Sequence, residues 1–173
     1  NLEIELAKKS IPYRKFGGLK FIETAHVKDI IAYLRIILNP TDVISLNRVL
    51  LLLDGVGTQT AAKLLPILTA PAANGTPALP AKCSDNIKKL FVTVEEARKT
   101  VFKPAQIVEK VLEYYYPIMS GKYDDYTKRQ KDLEHFLYLA EQYNDLEDFL
   151  SDLALEPPDS SVGDVDGAQK DEC

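Results

Sequence analysis

The sequence predicts a mainly α-helical protein, and three observations carry that prediction. Apolar residues recur at spacings of three and four along most of the 173-residue chain. Glycine and proline fall between these periodic stretches and punctuate them. Everything after the only extended stretch, Tyr13 to Phe16, reads as helix, and a single strand has no partner for its backbone groups.

Taken in order, Leu2, Ile4, Leu6 and Ala7 with Lys8 and Lys9 read as the end of a helix, stopped before Pro12. Ile11 to Phe16 is extended and Gly17-Gly18 supplies a break. From Ala25 to Leu38, the residues Val27, Ile30, Ile31, Leu34, Ile37 and Leu38 line one face of an amphipathic helix that Asn39-Pro40 ends. Thr41 or Asp42 can cap the next helix, which carries Ile44, Leu46, Val49, Leu50 and Leu53. After the turn Asp54-Gly55-Val56-Gly57, a helix restarts at Thr58 and is expected to end near Pro66. Thr69 to Lys82 is rich in Ala, Pro and Gly, has no periodicity, and reads as an exposed loop.

Ile87, Leu90, Phe91, Val94, Ala97 and Val101 form the next apolar face. Pro104 suits the first turn of a helix that buries Ile107, Val108, Val111, Leu112 and Tyr115 and stops around Pro117 to Gly121. A long polar helix follows, with Leu133, Phe136, Leu137, Ala140 and Tyr143 inward. Asn144 and Glu147 can form a capping box for a last short helix through Leu146, Phe149, Leu150 and Leu153. Pro157 to Cys173 is acidic and aperiodic, the pattern of a flexible linker.

The composition, 46% hydrophobic and 27% charged, is that of a soluble globular domain. The longest apolar run, Val49 to Leu53, is far short of the ~20 residues that cross a membrane. The chain begins NLEIEL, without Met or a basic leader, which fits a piece of a longer protein or a processed terminus. Cys83 and Cys173 stand apart with no histidine nearby, against a zinc site or disulfide framework and compatible with a reducing cytoplasm. Residues 1–123 hold 17 basic and 11 acidic side chains; residues 124–173 hold 4 and 15. The acidic total therefore comes from the last third, and the mildly basic remainder is compatible with nucleic-acid binding.

Leu52 to Leu65, LLDGVGTQTAAKLL, is the most chemical-looking stretch. A hydrophobic–Gly–hydrophobic–Gly turn before a helix resembles the helix–hairpin–helix turn. Gly55, Val56, Gly57 and Thr58 would let the backbone approach a phosphate, and Lys63 would add charge one turn on. A plain glycine turn between packed helices is the competing reading, and Asp54 opposes an anion. A DNA glycosylase that forms a Schiff base carries Lys two residues after the second glycine; here Gln59 stands there, with no Asp between Asp54 and Asp85. Ser120-Gly121-Lys122 lacks the earlier glycine and the strand of a phosphate loop and reads as a loop. His26 and His135 show no catalytic arrangement. Tyr114-Tyr115-Tyr116 point different ways on a helix and suit core packing better than base stacking.

The stretch IPYRKFGGLKFIETAHVKDIIAYLRIILNP resembles the segment of UvrD/Rep/PcrA-type superfamily 1 DNA helicases that enters their inserted accessory (2B) subdomain. The resemblance rests on Ile11, Pro12, Tyr13, Gly17, Gly18, Phe21, Glu23, Lys28, Asp29, Ala32, Tyr33, Leu34 and Arg35. Arg48 and Gly55-Val56-Gly57 then fall where that family has its Arg and its Gly-Ile-Gly turn. Thr24 and Leu53-Asp54 depart from the family pattern, each removing positive charge.

The resemblance implies residues 1–20 as a remnant of the second RecA-like motor half and hinge, 21–156 as the helical accessory subdomain, and 157–173 as an acidic linker back to the motor. It implies a parent that is an ATP-dependent, three-prime to five-prime DNA helicase. ATP and magnesium would be bound outside this stretch, which would hold no cofactor and no catalytic residue of its own. It implies contact with the duplex backbone near a junction through the glycine turn, with Gly17, Gly18, Phe21, Glu23 and Asp29 as hinge and family motif. The partners would be DNA and the rest of the helicase chain, with no membrane. A helical protein-interaction module with an incidental glycine turn is the alternative, its partner sought on the acidic C-terminal helices.

Overall fold

A computed structural model describes residues 19–70, 83–99 and 103–155. Every regular element among them is a helix: α1 (Leu19–Ile22), α2 (Ala25–Leu38), α3 (Val43–Leu50), α4 (Thr58–Leu68), α5 (Ser84–Lys99), α6 (Pro104–Lys122), α7 (Tyr126–Ala140) and α8 (Leu146–Leu155). The mainly α prediction holds. The expected strand at Tyr13 to Phe16, the Gly17-Gly18 break, Val101, most of the Thr69 to Lys82 loop and the 157–173 linker lie outside the described residues. None of the described helices is long and apolar enough to cross a membrane.

Helix α2 is the axis of the bundle. Ten of its 14 residues are buried, because it packs against α3, α5, α6, α7 and α8 on successive faces. A helix covered on nearly every side reads as hydrophobic all round, and the sequence IIAYLRII does so. Around it, Leu46, Leu50, Leu64, Ile87, Leu90, Val108, Val111 and Phe136 are sealed from solvent. Phe136 packs against Phe149 of α8 with ring centroids 5.3 Å apart, and the edges of the Tyr114 and Tyr115 rings meet Tyr33 at 5.9 and 6.1 Å.

Several boundaries follow from local chemistry. Asp42 caps α3: its carboxylate accepts from the N–H groups of Ile44 and Ser45, both at 3.1 Å. Pro104 opens α6, where the Gln106 side chain accepts from the Lys103 N–H at 3.1 Å. Three sequence expectations need correction. Helix α4 runs through Pro66 to Leu68, and α6 runs through Pro117 to Lys122. Each proline removes one donor near a helix end; past Pro117 the buried face of α6 continues to Met119, 1% exposed, and past Pro66 the half-buried Leu68 still packs on the core. The cap of α8 is Asp145, not Asn144: its Oδ1 accepts from Glu147 and Asp148 N–H at 2.8 and 3.1 Å.

Two polar clusters are built into the bundle. Asp29 of α2 is 2% exposed and accepts from Arg48 Nε of α3 at 2.7 Å and from the Tyr115 hydroxyl of α6 at 2.6 Å. Arg48 also donates to the Ala25 carbonyl at 3.0 Å. Burial, reinforced by the bond to Asp29, pushes the Tyr115 phenol far above its usual range, so it stays a donor. The second cluster joins α2 to α7. His26 Nδ1 lies 3.1 Å from an Arg129 guanidinium nitrogen, and Nε2 lies 3.0 Å from Asp132 Oδ2. A guanidinium can only donate, so Nδ1 is the acceptor and Nε2 carries the proton toward Asp132. Burial lowers the His26 pKa; Asp132 opposes that shift and Arg129 adds to it.

These clusters set two expectations. Asp29→Ala leaves the Tyr115 hydroxyl buried without its acceptor and Arg48 without its counter-charge. It should lower the unfolding free energy by about 2–4 kcal/mol, measured by urea titration at neutral pH; a loss under about 1 kcal/mol would remove Asp29 from this role. For His26, the folded pKa lies below the 6.5 of the free side chain. The unfolded chain therefore binds more protons as pH falls, so stability is full above 6.5 and declines below it. Urea midpoints should follow that course, and His26→Gln, which keeps a donor and an acceptor, should flatten it. The same slope in the variant would show that another group titrates.

Candidate functional site

The glycine turn sits between α3 and α4, and its neighbours explain its shape. Leu52 and Leu53 are buried and close tight backbone turns, donating to the carbonyls of Val49 and Leu50 at 3.1 Å. Gly55 then takes φ 82°, a left-handed conformation that costs a side-chain-bearing residue roughly 1–2 kcal/mol. Val56 turns inward, 7% exposed, and its N–H is committed to the Leu53 carbonyl at 3.1 Å. Val56 thus anchors the turn to the core and offers no donor outward.

Gly57 is the N-cap of α4, with φ −94° and ψ 177°, a conformation open to any residue. A methyl group built there would meet nothing within 4 Å. Packing therefore does not require glycine at this position. The first intrahelical donor is the Ala61 N–H, bonded to the Gly57 carbonyl at 2.9 Å. The N–H groups of Thr58, Gln59 and Thr60 have no acceptor within the helix, and no side chain caps them. Gly57, Thr58 and Gln59 are exposed, as is Lys63 one turn on. Such a terminus is suited to an anion, with the helix dipole adding to the donors.

Beside the turn lies an open cleft of about 680 Å³. Its walls are the turn itself (Leu51 to Gly55), the start of α5 (Asn86 and Lys89) and the second half of α6 (from Glu113 to Lys122). Asn86 Nδ2 reaches the Asp54 carbonyl at 3.4 Å, tying α5 to the turn. Tyr114 lines this cleft, half-buried, and burial pushes its phenol up to about 12. Gly121 and Lys122, expected to lie in a loop, form the last turn of α6 and face the same cleft.

The family-motif residues divide. Asp29 is the buried carboxylate that holds Arg48, and Phe21 is half-buried against Phe136 and His135. Glu23 is exposed, and Gly17 and Gly18 lie outside the described residues. The Asp29–Arg48 bond and the cleft cations Lys89 and Lys122 escaped sequence reasoning. The separation of 19 residues between Asp29 and Arg48 is invisible to helical periodicity. Among the described residues no group of three His, Cys, Asp or Glu side chains could hold a metal ion. Ser120, Gly121 and Lys122 lie in the last turn of α6, so they do not form a phosphate-binding loop.

Residues 1–160 match the UvrD-like helicase C-terminal domain family. The chain is 46% identical over 50 residues to the ATP-dependent DNA helicase UvrD1 of Mycobacterium tuberculosis, covering 29% of this chain and 6% of that protein. It is 26% identical over 189 aligned residues to the ATP-dependent DNA helicase PcrA of Staphylococcus epidermidis, covering 96% of this chain and 25% of that one. A probable DNA helicase II homolog of Rickettsia conorii is 22% identical over 170 residues, covering 90% and 26%. The chain thus spans about a quarter of the length of the relatives it matches along most of its own. It belongs to the UvrD-like helicase C-terminal domain family.

Proposed function

We propose that this chain is the accessory (2B) part of an ATP-dependent DNA helicase, and that its glycine turn contacts the phosphate backbone of duplex DNA. In this reading residues 21–156 form a body that moves against the motor, and ATP and magnesium are bound elsewhere in the longer protein. Phe21 and Glu23 lie where the body meets the hinge.

One observation carries the DNA contact: α4 begins with an exposed, uncapped turn at Gly57, a glycine that packing does not demand. In a helix–hairpin–helix turn the same arrangement lets a phosphate oxygen reach the backbone N–H groups. Gly55 shapes the approach, Thr58 supplies a hydroxyl beside its N–H, and Lys63 adds a charge. Asp54, exposed at the other end of the turn, weakens the contact without closing it. A second reading, docking of a protein partner, is favoured by Ile44, which stands 82% exposed on α3 with Leu51 on the same face.

Replacing Gly57 by Asp separates a structural glycine from a functional one. The carboxylate would cap the open N–H groups, so the thermal midpoint should hold or rise. The same carboxylate would occupy and repel the phosphate position, so affinity for a duplex should drop by roughly tenfold or more, the scale of one charge-assisted hydrogen bond. Fluorescence anisotropy with a labelled duplex reads the second effect and a thermal melt the first. Equal duplex binding by both proteins would refute contact at the turn, and no binding by either would leave the protein-partner reading.

A further inference from the structure

We propose that Lys89 and Lys122 form a second phosphate contact across the cleft from the glycine turn, so that the duplex backbone is gripped at two positions. The inference rests on the DNA-contact reading of the turn and extends it to α5 and α6, which that reading does not use.

The geometry is continuous. Gly55 belongs both to the turn and to the cleft wall, and Lys89 and Lys122 stand on the other two walls. A backbone lying along the turn therefore passes over them. Their availability is the second observation. Among the described residues the lysine–carboxylate pairs within 4.0 Å are Lys88 with Asp85 and Lys110 with Glu96. Neither Lys89 nor Lys122 has such a partner, so each ammonium is available to an external anion. Lys122 also lies 5.7 Å from the centroid of the Tyr123 ring, which holds it at the cleft end.

Asp54 and Glu113 share the cleft lining. A lysine carries its ammonium on a four-carbon stem, longer and more flexible than those of Asp and Glu, so Lys89 and Lys122 can reach an anion lying across the cleft opening. With two carboxylates in the lining itself, the cleft suits a ligand that lies across it within reach of the lysines, such as a duplex backbone, rather than a small anion that sinks into it.

The test is a duplex-binding titration of the whole chain over a range of salt concentrations. Lys89→Ala with Lys122→Ala should lower the slope of log K against log salt by roughly 1.8, about 0.9 for each lost phosphate contact. The thermal midpoint should not change. Lys28→Ala with Lys99→Ala, the same charge change outside the cleft, should leave the slope as it is. An unaltered slope in the first pair, or an equal fall in the second, overturns the cleft contact. If the unmodified chain binds duplex and Gly57→Asp abolishes it while the lysine pair does nothing, the turn reading stands and this inference alone fails. If the unmodified chain binds no duplex, both fail.

Discussion

The Asp29 carboxylate, buried at the centre of the bundle, is the constraint on which the rest of the structure depends. Burying a charge costs several kcal/mol unless its lone pairs are met, and here they are met by Arg48 on one side and Tyr115 on the other. Those bonds lock three helices in one arrangement, because a shift of α3 or α6 by a residue would strand the carboxylate. Apolar packing alone tolerates such slips more readily. Arg48 stands seven residues before Gly55, so the bond that fixes α3 also fixes the turn that follows it.

The His26 cluster does the corresponding work for α7, and it reaches the cleft. Arg129 holds His26 and Asp125, and its guanidinium lies 4.0 Å from the centroid of the Tyr123 ring. Lys122 approaches the same ring. Tyr123 is therefore the point where the polar support of the bundle meets the cleft wall. The site is held from both sides: the turn through Asp29 and Arg48, the far wall through His26 and Arg129.

Much of the helix order was legible because it is written locally. The three-and-four spacing from Val27 to Leu38 marks α2, Thr41 and Asp42 announce a cap for α3, and Gly55 and Gly57 mark the turn. The failures share a different cause. Pro66 and Pro117 read as stops, yet the loss of one donor near a helix end is outweighed by the apolar face that continues beyond it. Asn144 and Asp145 are adjacent capable caps, and only the backbone geometry chooses between them. The site divides the same way. The turn could be read, since Gly55 and Gly57 stand two residues apart in one short stretch. Lys89 and Lys122 could not, because three helices folding onto one another bring them to the turn.

The position of α2 bears on how the chain acquires its structure. His26 and Asp132 are 106 residues apart, and α2 also packs on α8, the last helix described. Neighbouring pairs such as α3 with α4 can associate early, since their loop is short. The centre cannot close until the C-terminal helices exist. During synthesis, α2 emerges with a nearly continuous apolar surface ahead of α5 to α8, and it waits for those helices before it is covered. Over that interval the most hydrophobic of the described helices is also the one most in need of protection from aggregation.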